Sequence, residues 1–295
     1  MTGLKWTRRS SYTVSAALAA EGLAACPNTV AAALKELGFS LKRQRKEIGE
    51  TQHPQRNAQF EQIAATKAEF QDRGQPVISV DSKKRELVGR FLKAGPSWCR
   101  ETEQVFTHDF RTLAKGIALP YGIYDGVANT GTVVVGTSRD TAEFAVDAIE
   151  TWLTSYGWYH YPDMSELLIL CDAGGSNSCR THLWKYALSQ RLVQQHGIAV
   201  TVCHYPPGAS KWNPIDHRLF SQISLNWAGV SLQSYQLILN RIRTVRTKTG
   251  LTVDATLNRK RYDTGIKVPP EEFHQIKLTP ISPLPQWNYT IVPQV

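Results

Sequence analysis

The run Leu167-Leu168-Ile169-Leu170-Cys171 constrains the fold more than any other stretch of the chain. It is apolar without alternation, and a strand of that kind has to be covered on both faces. Such strands lie inside a largely parallel sheet with helices above and below it. The run ends in Asp172-Ala173-Gly174-Gly175, so a carboxylate stands where the chain leaves the core. Pro76-Val77-Ile78-Ser79-Val80-Asp81 repeats the pattern earlier in the chain, again an apolar strand closed by an acid.

The remaining periodicities fill in the sheet and its cover. Ile117 to Tyr124 and Thr132 to Gly136 read as strands, with Asp125-Gly126 and Asn129 as turn signals between them. Glu86 to Phe91 alternates and is expected to be the hairpin partner of the first strand. Thr141 to Ser155 reads as a helix with Ala145, Ala148, Ile149 and Trp152 inward. Ser178 to Gln195 is another, with Trp184, Ala187, Leu188 and Leu192 inward, and Ile198 to Cys203 follows as a strand. Asn213 to Ala228 carries Ile215, Leu219, Phe220, Ile223 and Trp227 on one stripe. Hairpins first and parallel crossovers afterwards give an α/β fold, a mixed sheet flanked by helices. This is the element order of the RNase H-like fold.

Two short helices precede this region. Ser10 to Ala20 carries Val14, Ala17 and Leu18 at helical spacing. After Gly22, a second helix opens at Pro27, repeats Val30, Ala33, Leu34 and Leu37, and stops at Gly38. The pair suggests a helix-turn-helix whose second helix, with Asn28 and Thr29 near its start, would meet the major groove. The basic residues Lys42, Arg43, Arg45 and Lys46 that follow would meet phosphates. The plainer alternative is a helical hairpin with a solvated charged tail. The expected division is residues 1–50 as the helix-turn-helix segment, 51–75 as a helical connector, 76–245 as the RNase H-like domain, and 246–295 as a basic, irregular extension.

Charge narrows the partner. A formal net charge of +9 favours an anionic ligand, with nucleic acid first and an acidic membrane surface second. Five cysteines, an odd number and without a C-x-x-C pair, argue against a disulfide framework and a zinc finger, and fit a reducing cytoplasm. The N-terminus lacks an apolar signal core, and no stretch is apolar enough to be a membrane helix.

Asp81, Asp172 and Asp216 are the residues on which chemistry would turn. They are 91 and 44 residues apart, so only a fold could gather them. Two sit at strand ends and one at a helix start. Three neighbouring carboxylates repel one another, and without a cation one of them should have a raised pKa. Mg²⁺ prefers hard oxygen ligands, and two such ions suit phosphodiester transfer, where charge develops on both attacking and leaving oxygens. Asp81 would bridge both ions, with Asp172 and Asp216 serving one each. Each acid also has a structural reading: a turn at Asp81, a loop at Asp172, and the third position of a helix capped by Asn213 and opened by Pro214 at Asp216.

Three blocks carry a resemblance. Ile78-Ser79-Val80-Asp81-Ser82-Lys83-Lys84 with Gly89, Cys171-Asp172-Ala173-Gly174-Gly175-Ser176-Asn177, and His204-Tyr205-Pro206-Pro207-Gly208-Ala209-Ser210-Lys211-Trp212-Asn213-Pro214-Ile215-Asp216-His217 resemble insertion-sequence transposases of the ISAzo-thirteen family, relatives of the Tc1/mariner-like DDE enzymes. Leu4-Lys5-Trp6-Thr7, Leu34-Lys35-Glu36-Leu37-Gly38 and Trp287-Asn288-Tyr289-Thr290-Ile291 extend the likeness towards both termini. The resemblance implies DNA cleavage and strand transfer dependent on Mg²⁺ or Mn²⁺, with Asp81, Asp172 and Asp216 as catalytic metal ligands. It implies double-stranded DNA, as transposon ends and target, for partner, a homodimer to join two ends, and a nucleoid-associated place in the cytoplasm. Two departures stand out. The last acid is Asp where related enzymes often have Glu, and the chain starts almost at Trp6, as a truncated copy would.

Several residues remain as auxiliaries. Lys83 and Lys84 could reach phosphates, as could Arg241, Arg243 and Arg246 in a segment from Arg241 to Arg261 with seven Lys/Arg and one acid, Asp254. Asn177 could polarise a ligand or cap the following helix, and the cap is favoured. His217 could touch the scissile phosphate. His204, Tyr205 and Trp212 read as packing and loop residues. Besides the transposase, two readings stay open: a truncated or repurposed DNA-binding protein without catalysis, and an RNase H-like nuclease.

Overall fold

A computed structural model describes residues 9–41, 53–209 and 212–294. The chain divides into two compact units, Met1–Glu50 and Thr51–Val295. In the first, α1 (Ser11–Ala20) is opened by the Ser10 hydroxyl accepting from the Thr13 N–H at 3.2 Å. α2 (Pro27–Glu36) has proline in its first turn and ends before Gly38, which takes the left-handed conformation at φ +81°. The expected helical pair is therefore present, with Asn28 and Thr29 exposed near the start of α2. Lys42, Arg43, Arg45 and Lys46 lie outside the described residues.

The second unit opens with α3 (Arg56–Asp72), and its sheet begins with β1 (Val77–Ser82) and β2 (Glu86–Val88). β3 (Gly116–Asp125) and β4 (Thr130–Gly136) follow, then α4 (Ala142–Trp152), which winds through a π-helical turn into the short α5 (Trp158–His160). β5 (Glu166–Asp172), α6 (His182–Leu188) and β6 (Ala199–Tyr205) come next. A helix entered at Pro214 runs through a π-helical segment, Asp216–Phe220, into α7 (Ser221–Asn226), followed by α8 (Tyr235–Arg243). The last elements are β7 (Thr252–Asn258), α9 (Pro270–His274), β8 (Leu278–Pro280) and β9 (Asn288–Ile291).

The strands form one sheet in the order β7-β4-β3-β1-β5-β6-β9-β8. β3 is antiparallel to β1 and β4, whereas β5 and β6 run parallel to β1. This is the RNase H-like arrangement, with the two acid-ended strands side by side at its centre. One face, carrying Ile78, Val80, Tyr121, Ile169 and Val202, is buried under α4 and α6. The other is covered in two parts. Ile63 and Phe70 of α3 lie over Val77, Leu168 and Leu170, and Ile215, Leu219, Ile223 and Ile238 lie over β3, β4 and β7.

Three expectations change. Glu86–Val88 pairs with β3 instead of β1, because β3 is long enough to take β1 along one half and β2 along the other. The polar segment expected to be a connector is part of the core. Gln59 is fully buried and exchanges two amide hydrogen bonds with Asn288 at 2.7 and 2.8 Å, and also donates to the His204 carbonyl at 2.8 Å. Its polarity in the sequence reflects paired burial, not exposure. Finally, the supposed irregular extension supplies three strands, β7 closing one side of the sheet and β8 and β9 the other. β8 and β9, of three and four residues, are too short to register as a pattern, and β7 alternates with polar residues inside a basic segment.

Candidate active site

Register brings the first two acids together. Val80 pairs with Cys171 across the parallel β1–β5 ladder, so Asp81 and Asp172 lie one residue further on at the same level. Neighbouring strands are about 4.8 Å apart and residues level with one another share a face. Side-chain alternation puts both acids on the face covered by α3 and the Pro214–Asn226 helix, since Ile78, Val80 and Cys171 fill the opposite one.

Asp216 reaches this face through its helix. Asn213, fully buried, turns its amide to the Val80 carbonyl at 3.4 Å and the Asp172 carboxylate at 3.5 Å. Its side-chain oxygen accepts from the Ile215 N–H at 3.4 Å, so one residue caps the helix and fastens it to both strand ends. Gly122, the β3 partner of Asp81, allows the helix to lie close. A Cβ there would stand 2.5 Å from the Phe220 ring and 3.0 Å from the Ile215 Cδ1. Gly131 makes the same room for Leu219, at 2.6 Å.

The three carboxyls affect one another. Burial, then the charge of Asp172, raises the pKa of Asp81 to about 7, with Asp216 and Asp140 adding to the effect and the Ser82 N–H opposing it. Burial also raises Asp172, with Asp216 adding and the Asn213 amide opposing. Asp216 is raised by burial and drawn back by His217 and Lys83. The arrangement is an electron-rich oxygen cluster held by a rigid frame. As it stands, the described residues contain no group of three His, Cys, Asp or Glu side chains placed to hold a metal ion together. Asp172 and Asp216 nonetheless act on Asp81, and Asp216 on Asp172, and that repulsion is the property a cation would relieve.

Other expected residues fall differently. Asn177 does not cap α6, which starts at His182 after Thr181. It is buried and accepts the Tyr121 hydroxyl at 2.7 Å, linking the loop after Asp172 to β3. Lys83 turns inward: it is half-buried, 3.7 Å from the Glu86 carboxylate and 5.1 Å above the Trp227 ring, and it acts on Asp216 instead of facing solvent. Lys84 is exposed. Arg243 pairs with Asp254 at 3.1 Å, and Arg246 donates to the carbonyls of Arg243 and Val245, so both guanidinium groups are partly engaged by their own chain. Arg241 is half-exposed on α8 and His217 is exposed beside Asp216.

Two participants were not foreseen. Asp140, which accepts the Ser82 hydroxyl at 3.0 Å, is a fourth carboxylate acting on Asp81. Its place just before the Thr141 cap of α4 makes it look like ordinary helix-start chemistry. Asn213 was read as a cap, but its second attachment, to strands more than forty residues away, leaves no local signal.

The family model for the Rhodopirellula transposase DDE domain matches residues 1–293. The chain belongs to that family. It is thus a transposase, with the RNase H-like frame described above. Structures similar to this transposase include the Mos1 transposase paired-end complex with left transposon end, at 15% identity and a TM-score of 0.46 over 80% of this chain and 70% of that one. A pre-cleavage Mos1 transpososome is similar at 13% identity and a TM-score of 0.46, covering 83% and 78%. No curated protein matches the transposase. Among the described residues, no helix is long and apolar enough to cross a membrane.

Proposed function

We propose that Asp81, Asp172 and Asp216 are the catalytic carboxylates of this transposase, and that they cut and rejoin double-stranded DNA at the ends of an insertion sequence. What supports this reading is that Asp81 and Asp172 end neighbouring strands at one level, with the Asp216 helix tied to them by Asn213, and that each acid has a pKa raised by burial, two of them raised further by another of the three. Evolution of stability alone does not favour such a cluster, because it leaves charge uncompensated in a confined place.

The donors fit Mg²⁺ or Mn²⁺: all are hard carboxylate oxygens, joined to a frame that fixes their backbones. Asp81 is the central acid, since it feels both others, and Asp172 and Asp216 flank it. Two divalent ions bound there would supply charge neutralisation on the attacking and leaving oxygens. The protein's own contribution is positional. Asn213 holds Asp172 and the start of the Asp216 helix in one place, so little reorganisation remains at the moment of reaction. His217 and Lys83, beside Asp216, both oppose the rise in its pKa.

The first unit, residues 1–50, is proposed to recognise duplex DNA through α2, and two copies of the chain would bring two ends together. The place of action is then wherever the chromosome is, in the cytoplasm. The test is nicking and joining of terminal-repeat duplex in Mg²⁺ or Mn²⁺. Full activity in an Asp172→Ala variant would overturn the site. Hydrolysis without a joined product would turn the reading to a nuclease, and specific binding without cutting to a DNA-binding protein.

A further inference from the structure

Beside the acids runs a groove of about 610 Å³ between α3 and the Pro214–Asn226 helix. Ser79 and Leu170 form part of its floor, and each lies two residues before an acid on the same strand face, Asp81 and Asp172 respectively. Tyr205, the register partner of Asp172 on β6, lines it as well. The groove therefore begins where the carboxylates stand, with Asn213 between its wall residues Trp212 and Pro214.

Two features give it a chemical character. The first is a run of rings: Phe60 has its centroid 6.3 Å from Tyr205 and 5.9 Å from Trp212, and the Trp212 side is 54% exposed. The second is charge. Among the described residues, Lys67 and Arg218 line the groove, and no Asp or Glu does. Arg218, Asn129 and Thr249 also line a neighbouring depression of about 450 Å³ that continues past His217 to Arg246 and Lys248, again without an acid. Asn129 fixes the junction by donating to the Thr249 carbonyl at 2.8 Å and accepting the Tyr124 hydroxyl at 3.2 Å.

Aromatic shelves with a cationic track are how proteins hold unpaired strands: bases stack on rings, and phosphates follow the positive charge. A duplex cannot use the rings, because its base faces are already stacked on each other. The volume suits a few unstacked groups, in the range of sites that enclose a small ligand.

We propose that this groove takes an unpaired stretch of DNA strand beside the cleavage point, with bases against Trp212 and Phe60 and phosphates along Arg218, Arg246 and Lys248. The proposal rests on the reading of the acids only for the origin of that strand; the groove's affinity is independent of cutting.

The test uses the full chain in EDTA, where no cutting occurs, and reads the anisotropy of labelled poly-dT and of a blunt duplex. Trp212→Ala and Phe60→Leu, the latter keeping apolar bulk in case truncation unfolds α3, should each weaken poly-dT binding about 5- to 100-fold. Both should leave duplex affinity unchanged. Arg218→Gln should lower the salt dependence of poly-dT binding by roughly one phosphate contact. Equal effects on single strand and duplex, or none on poly-dT, would overturn the proposal, as would a change only in self-association. Asp172→Ala should bind poly-dT like the unaltered protein. If that variant still cuts DNA once Mg²⁺ is supplied in a separate assay, the acid assignment falls while the groove stands; if instead the ring variants bind poly-dT like the unaltered protein, the groove falls while the acids stand.

Discussion

Two polar clusters lie at the end of β5, and they are built on opposite terms. On one face, His204 sits with Nδ1 at 3.0 Å from the Asp172 carbonyl and Nε2 at 3.2 Å from the Tyr289 hydroxyl, which in turn accepts from Trp184 at 2.9 Å. Gln59 and Asn288, on the α3 side that the acids share, are satisfied in the same way by reciprocal amide bonds. Burial lowers the His204 pKa to about 4, so it is neutral and the cluster carries no net charge. On the other face, Asp81, Asp172 and Asp216 stand as acids whose ionised forms burial opposes. The first cluster is satisfied by the protein itself. On the proposed reading the second would be completed by a cation, and the same few strand ends would then serve both the fold and the chemistry.

The sharpest way to break this comparison is to remove an acid. Asp172→Ala or Asp81→Ala should reduce DNA cutting by about 10³-fold or more, because residues that act as a unit fail together. A gel assay of terminal-repeat duplex measures it. Removing a member of the satisfied cluster should do the opposite kind of damage. Gln59→Ala orphans Asn288 and the His204 carbonyl, and should cost roughly 2–4 kcal/mol. That corresponds to a thermal midpoint lower by roughly 5–15 °C.

A third change tests the frame between them. Gly122→Ala forces Phe220 and Ile215 to shift, at about 1–3 kcal/mol. It should also lower cutting by moving Asp216 away from Asp81, with DNA binding retained. If denaturant midpoints fall but the cutting rate per folded molecule does not, the close approach is merely packing.

The smallest effect is the most diagnostic. Asp81 has a folded pKa of about 7 against an ordinary 3.8, so the folded state holds the extra proton between those values. Stability is therefore lost as pH rises from about 4 to about 7. Asp81→Asn removes that loss. In EDTA it should melt a few degrees higher than the unaltered chain at pH 8, and about level with it at pH 4. A destabilised Asp81→Asn would mean the acid is satisfied after all, and the contrast between the clusters would fail.

Much of this was legible in the sequence, for reasons that differ by element. The apolar runs ending at Asp81 and Asp172 announce themselves, since burial on both faces leaves no alternative composition. The helix at Asp216 was readable from Asn213-Pro214 alone. What escaped depends on partners far away. The polar α3 looked solvated because nothing local shows that Gln59 meets Asn288, 229 residues on. Asn177 looked like a cap because its true partner, Tyr121, lies on another strand. Lys83 looked exposed because the Trp227 ring it covers comes 144 positions later. β7, as long as β5 and β6, was hidden by polar residues alternating along it, and β8 and β9 by their shortness, yet they complete the sheet on both sides.

The pairing of β6 with β9 also sets a timetable. β9 is antiparallel to β6 from Cys203 to Val200, and its Asn288 carries the bonds that lock α3. About 80 residues separate the two strands, so during synthesis β6 waits roughly 4–16 s with a bare edge at ~5–20 residues per second. An unpaired edge recruits other strands. That edge is open to wrong pairing until β9 emerges. Until then α3 lacks its amide partner and the wall that borders the acids is unfinished.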